Sequence, residues 1–198
     1  MDIKWIYESA KRRNALTYEE HELVTSLSRS YAEWIKSLSP KEIHAIRKYT
    51  KNSLRENQRF SFFKRLNMML ESDNPKSLKD YKMLKSYSDT ISEAIKRCST
   101  PYDLVCYRGV NTRPVKSIMK GEEFVYKSFI STSLFRKHAF KCKYLMIIHI
   151  PKGIRAAYID DISVYKGQFE VLIDKGYRYR LISIQGSTYE MEVLCDDD

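Results

Sequence analysis

Arg155-Ala156-Ala157-Tyr158-Ile159-Asp160-Asp161-Ile162-Ser163-Val164-Tyr165-Lys166-Gly167-Gln168-Phe169-Glu170-Val171-Leu172-Ile173 reads as a strand, a loop and a second strand. Ala157-Tyr158-Ile159 and Phe169-Glu170-Val171-Leu172-Ile173 are short apolar runs rich in strand formers. The loop between them opens on Asp160-Asp161 and carries Gly167 near its end. Glu170 is the unusual residue, a carboxylate at the head of an apolar strand rather than in the loop. Either its side chain reaches solvent by alternation, or it is buried and something pairs with it or uses it.

Outward from this stretch the second half of the chain continues as strands. Runs at Leu104–Arg108, Glu123–Thr132, Tyr144–Ile150, Tyr177–Ile184 and Thr188–Leu194 join Arg155–Ile159 and Phe169–Ile173. Pro151-Lys152-Gly153 and Gln185-Gly186-Ser187 supply turns. The first half reads as helices. Thr17-Tyr18-Glu19-Glu20 is a capping box ahead of Leu23, Val24, Leu27, Tyr31, Trp34, Ile35 and Leu38 at helical spacing. Ser39-Pro40-Lys41-Glu42 is a second box, with proline at the first helical position. Phe62, Phe63, Leu66, Met69 and Leu70 mark a third helix that stops at Asp73-Asn74-Pro75. Leu84, Tyr87, Ile91, Ala94, Ile95 and Cys98 mark a fourth. Helices followed by strands predict an α+β fold rather than alternating βαβ units. No linker or repeat divides the 198 residues, so a single domain is expected: a helical lobe over 1–100 packed on a β-rich core over 101–198.

The chain carries a net charge of +10, and the first hundred residues hold 20 Lys and Arg against 13 Asp and Glu. The excess peaks at Arg47, Lys48, Lys51, Arg55, Arg59, Lys64 and Arg65. That pattern suits first a solvated helix face, and after it a phosphate-bearing ligand, an acidic protein or nucleic acid. No apolar run approaches the roughly 20 residues of a membrane span. The start, Met1-Asp2-Ile3-Lys4-Trp5-Ile6-Tyr7-Glu8, lacks a basic-then-apolar leader pattern. A cytoplasmic protein, or a mature chain delivered to a target cell, is expected. Cys98, Cys106, Cys142 and Cys195 show no metal-ligand spacing, so reduced thiols are expected and no metal.

Three polar signals remain, one per strand: Tyr107-Arg108-Gly109, Ser131-Thr132-Ser133 behind Phe129-Ile130, and Gln168-Phe169-Glu170. Alone each is weak. In this order they resemble the R-S-E signature of the mono-ADP-ribosyltransferases of bacterial exoenzyme type, most closely the clostridial Rho-modifying exoenzymes. The resemblance extends to Phe129 through Leu134, to Ile150-Pro151-Lys152-Gly153, to Ala157-Tyr158-Ile159-Asp160 with Ile162-Ser163 and Gly167-Gln168-x-Glu170, and to Leu38 through Glu42 with Tyr49-Thr50. It covers roughly residues 38–185.

The resemblance implies two antiparallel or mixed sheets around an NAD cleft, with NAD as substrate and no metal. Arg108, Ser131, Gln168 and Glu170 are the implied catalytic residues. Tyr107, Arg108, Gly109, Ser131, Thr132, Ser133, Phe140, Lys143 and Asn67 are the implied NAD contacts. The chemistry suits these residue types. A planar guanidinium binds phosphate bidentately, and a fixed carboxylate stabilises the positive charge that develops on ribose as nicotinamide leaves. Ser131 would orient Glu170 or the ribose, and Phe140 would stack over the cationic ring. Tyr165 and Gln168 match the acceptor-recognition positions. Arginine-modifying relatives usually carry Glu where this chain has Gln168, which favours an amide-type protein side chain or a nucleobase as acceptor. A toxin of a toxin–antitoxin or phage-defence locus, with an antitoxin or inhibitor as partner, fits this reading, as does a phage protein acting on its host.

Two departures stand out. Asn67-Met68-Met69-Leu70-Glu71 ends on Glu where the family often has an arginine for the NAD phosphates, and Lys143 stands where arginine is expected. Either a lower affinity for NAD or substitution by Arg65 or Lys64 is expected. A fold that binds without transferring is the alternative these departures motivate.

Overall fold

A computed structural model of the chain describes residues 11, 15–51, 60–115 and 119–195. Among the described residues four α-helices come first: α1 (Tyr18–Ser37), α2 (Pro40–Thr50), α3 (Phe62–Glu71) and α4 (Tyr81–Ile95). Eight strands follow: β1 (Leu104–Val110), β2 (Glu123–Val125), β3 (Ile130–Ser133), β4 (Tyr144–Ile150), β5 (Ala156–Tyr158), β6 (Glu170–Ile173), β7 (Arg178–Gln185) and β8 (Thr188–Val193). The α+β class is as the sequence predicts. Arg55, Arg59 and the first eight residues lie outside the described residues.

Both capping boxes form. Thr17 donates its N–H to Glu20 Oε2 at 2.8 Å and its hydroxyl accepts from the Glu20 N–H at 3.3 Å. Ser39 and Glu42 repeat the arrangement at the head of α2. Each cap satisfies amides that a helix start leaves orphaned. The apolar stripe of α1 buries Val24, Leu27, Tyr31 and Trp34, and α4 buries Leu84, Ile91, Ala94 and Ile95. Tyr31 donates to the Ala156 carbonyl at 2.9 Å, which ties α1 to β5. Ser92 donates to the buried Asp174 carboxylate at 3.0 Å, which ties α4 to the end of β6. One cluster of buried side chains runs from Val24 in α1 to Val193 in β8.

The strand order is β2-β7-β8-β4-β1-β3-β6-β5, with β4 and β8 parallel and the other pairs antiparallel. The two sheets that the resemblance implies are therefore one hydrogen-bonded series. The blocks β2-β7-β8-β4-β1 and β3-β6-β5 meet at a single register pair, Tyr107 with Ser133. The predicted run Glu123–Thr132 is likewise split. Its first part pairs with β7, its second with β6, and residues 126–129 carry the chain between the blocks. Backbone groups of this crossing find distant partners: Tyr126 N–H donates to Tyr177 O at 3.2 Å and Ser128 N–H to Glu71 at 3.0 Å. The seam between the blocks is where the three polar motifs come together.

Candidate active site

Cross-strand register puts both outer serines of Ser131-Thr132-Ser133 on the carboxylate's face, and hydrogen bonding decides between them, Ser133 being taken by the Gln168 carbonyl. Ser133 lies opposite Glu170 and Ser131 opposite Leu172, so Ser131 is the diagonal, same-face neighbour of Glu170. The Ser131 hydroxyl donates to Glu170 Oε1 in a short hydrogen bond. Ser163 approaches the other carboxylate oxygen at 3.4 Å. From β1, Arg108 Nη1 donates to the Ser131 carbonyl at 2.6 Å. Guanidinium, hydroxyl and carboxylate thus form one connected unit across β1, β3 and β6.

Glu170 is buried, with 5% of its surface exposed. Loss of solvation raises its carboxyl to about 7; the Ser131 bond opposes this, the Asp160 charge adds to it, and Ser163 and Arg108 pull downward. Burial also pushes the Tyr49 phenol up to about 12, with Arg108 acting against it. The Tyr126 phenol is raised to about 12 by burial, again with Arg108 opposing. A single guanidinium is the common positive charge in an otherwise phenol-rich, low-dielectric wall.

The backbone that presents Glu170 is held from Asp160. This carboxylate is fully buried and accepts the N–H groups of Gly167 at 2.9 Å, Gln168 at 3.0 Å and Phe169 at 2.8 Å. Gly167 has φ 80°, and Phe169 has φ 52°, alone among described non-glycine residues in the left-handed region. Such a conformation costs a bulky residue about 1–3 kcal/mol and persists only where its surroundings enforce it. Phe169 is fully buried, with its ring 5.1 Å from Phe135 and 4.9 Å from His138. Ser133 completes the clamp by donating to the Gln168 carbonyl at 2.8 Å.

The remaining predicted residues divide. Thr132 is buried and its hydroxyl is bonded to the Val171 carbonyl at 2.8 Å. Tyr107 is half-buried at the seam. Gly109 is packed against the chain around Phe140: a Cβ there would overlap the Phe140 carbonyl oxygen and stand 2.9 Å from its carbon. Phe140 itself is exposed, at 62%. Lys143 is exposed, with its ammonium 5.3 Å from the Tyr144 ring centroid. Gln168 has both backbone groups engaged while its side-chain amide has no partner among the described residues. Tyr165 sits in the loop with its N–H on Ser163 at 3.2 Å.

On α3, Asn67 donates to the Phe129 carbonyl at 3.2 Å and to the Tyr49 hydroxyl at 3.1 Å. Glu71, one turn on, takes the Ser128 N–H. Arg65 is paired with Asp80, whereas Lys64 is exposed. Sequence reading left Asp160 and Ser163 without roles. Their signal was present: an acid seven residues before a glycine, and a serine midway in the same loop. Thr50, which accepts the Val164 N–H at 3.2 Å, anchors that loop to α2.

The family model for the ADP-ribosyltransferase exoenzyme matches residues 28–196. Among curated proteins, the chain is 27% identical over 173 residues to NAD(+)–arginine ADP-ribosyltransferase EFV of Enterococcus faecalis, which covers 82% of this chain but only 32% of that protein. The chain thus spans about a third of that relative's length. Among solved structures, Plx2a, an ADP-ribosyltransferase toxin from Paenibacillus larvae, has a TM-score of 0.71 at 22% identity, covering 88% of this chain and 96% of that one. The Clostridium limosum C3 exoenzyme has a TM-score of 0.70 at 19% identity over 88% and 94%. C3stau2 from S. aureus, solved with NAD, has a TM-score of 0.69 at 20% identity over 87% and 96%.

Proposed function

Since the chain belongs to the ADP-ribosyltransferase exoenzyme family, we propose that its 198 residues form one domain that transfers ADP-ribose from NAD to an amide-type side chain of a protein, as a toxin or effector. The observation that carries this reading is the bonded unit of Arg108, Ser131 and Glu170. In it the C1′–N bond to nicotinamide breaks heterolytically, and its electron pair discharges the pyridinium so that nicotinamide leaves neutral. Glu170, ionised, stabilises the cationic ribose carbon and is held in place by Ser131. Arg108 answers the diphosphate charge. The acceptor nitrogen then bonds to C1′ and loses one proton. Tyr107, Gly109, Phe140, Lys143 and Asn67 frame the NAD side, and Tyr165 and Gln168 the acceptor side.

Gln168 supports an amide acceptor because a neutral side-chain amide offers a donor and an acceptor to another amide. A cationic guanidinium would be better met by a carboxylate. The second reading, an arginine acceptor, is favoured by the name of the Enterococcus relative. The test is incubation with labelled NAD and a cell lysate, split between nuclease and protease treatment, with mass spectrometry locating the modified residue. Label lost to protease and found on Asn or Gln is expected. Label on arginine would establish the second reading, and label lost to nuclease alone would overturn both in favour of a nucleic-acid acceptor.

A further inference from the structure

We propose that Asp160 is a positioning residue for the transfer reaction: by holding the N–H groups of Gly167, Gln168 and Phe169 on one buried carboxylate, it sets the backbone from which Gln168 and Glu170 act. The inference rests on the reading of Glu170 as the catalytic carboxylate. Three successive amides turned towards one point make a concave anion site, and here the anion is built into the chain. The two oxygens share the work, Oδ2 taking Gly167 and Oδ1 taking Gln168 and Phe169. Bonds from N–H to a buried charge are roughly twice as strong as neutral ones. They hold Phe169 at φ 52°, where a bulky residue is strained, next to Gly167, whose φ of 80° a glycine adopts freely.

The consequence reaches both polar residues of the motif. Gln168 has its N–H on Asp160 and its carbonyl under the Ser133 hydroxyl, so its side chain is the part left to act. Glu170 follows the left-handed residue directly and opens β6, with its carbonyl accepting the Ile159 N–H at 2.9 Å. The loop is therefore closed on both sides of Asp160, by Ile159 on Glu170 and by Asp160 on residues 167–169. Asp160 also acts on Glu170 through space, since its charge makes ionising Glu170 harder. Among the described residues, Ser131 from β3 and Ser163 from the loop also bond Glu170, and Arg108 from β1 and Tyr49 from α2 interact with it electrostatically.

Asp160→Asn keeps the size of the side chain but removes the anion and turns an NH2 towards N–H donors, so at least one amide loses its acceptor. The experiment compares the wild-type chain, Asp160→Asn and Glu170→Gln by initial rates of nicotinamide release from NAD across a pH series, with circular dichroism on each. For folded Asp160→Asn, kcat should fall by about a hundredfold, the scale of misplacing a reacting group by about an ångström. KM for NAD should change by less than about threefold, because β1 and β3 are untouched. The acid limb of kcat/KM should move to lower pH, which a merely structural defect would not produce. A folded Asp160→Asn with kcat within about twofold of wild type, or with an unmoved acid limb, would overturn the proposal. So would failure of this variant to fold at any temperature, since that would make Asp160 a general folding residue. A wild type without turnover would overturn the reading of the site itself. An active wild type and an inactive Glu170→Gln beside an unchanged Asp160→Asn would overturn the role of Asp160 alone.

Discussion

Glu71 accepts the backbone N–H of Ser128 at 3.0 Å, so the carboxylate standing where relatives often place an arginine holds the chain just ahead of β3. With Asn67 on the Phe129 carbonyl, α3 clips two successive residues at the entrance to Ser131. Its charge also raises the Tyr126 phenol, whose other charged influence is Arg108. The carboxylate thus secures backbone order while placing a negative charge on the same phenol that the Arg108 guanidinium acts on.

Glu71→Gln separates the two effects, since the amide oxygen can still accept from Ser128 while the charge is gone. KM for NAD is expected to fall by about two- to fivefold, the scale of a partly exposed charge contact. Initial-rate kinetics of NAD cleavage measure it, and a rise in KM would show that Glu71 does not oppose NAD.

Gly109→Ala tests the approach of the Phe140 segment to β1. A Cβ there cannot coexist with the Phe140 carbonyl, so either β1 or the 139–143 chain must move. A loss of about 1–3 kcal/mol is expected, seen as a lower melting temperature, together with a raised KM for NAD. Unchanged melting and KM would show that the packing is dispensable.

The raised carboxyl of Glu170 makes a prediction about stability. Folding lifts it from 4.5 to about 7. Between those values the folded state keeps a proton that the unfolded chain releases, so this group's contribution is full below about 4.5, declines with rising pH, and is lost above about 7. Glu170→Gln removes the penalty, on the order of 3 kcal/mol. The variant should melt higher than wild type at pH 8, with the gap closing towards pH 4.5. A variant less stable than wild type at pH 8 would contradict the cost assigned to the ionised carboxylate.

Much of this was legible in the sequence. Capping boxes at Thr17 and Ser39 and the stripes of α1 and α4 depend on neighbours within a few residues, and they form as read except that α4 stops at Ile95, short of Cys98. Tyr144–Ile150 is bounded to the residue because it is a nearly continuous apolar run closed by Lys143 on one side and Pro151 on the other. What escaped depends on distant partners. The break within Glu123–Thr132 follows from Tyr177 and Glu71, neither of which the run itself reveals. Ser131-Thr132-Ser133 does not by itself say which hydroxyl meets Glu170: the resemblance names Ser131, register leaves Ser131 and Ser133 on one face, and the bond of Ser133 to the Gln168 carbonyl leaves Ser131 for the carboxylate. Asp160 looks like any loop acid until three amides from residues 167–169 close on it.

Gln168→Ala addresses the acceptor. The backbone of residue 168 is fixed through its N–H and carbonyl, so truncating the side chain leaves the clamp intact. Transfer to the acceptor should fall by about tenfold or more relative to NAD hydrolysis, the loss expected when a polar recognition contact is removed. Both rates are measured on one preparation by labelled NAD, and equal loss would show that Gln168 does not read the acceptor.

The central claim is that Arg108, Ser131 and Glu170 act as one unit on NAD, and the rate of nicotinamide release by Glu170→Gln tests it most directly. With the fold verified by circular dichroism, the rate should fall by about a hundredfold or more, the usual consequence of removing a preorganised stabilising charge. A folded Glu170→Gln that releases nicotinamide within a few-fold of the wild-type rate would contradict the claim.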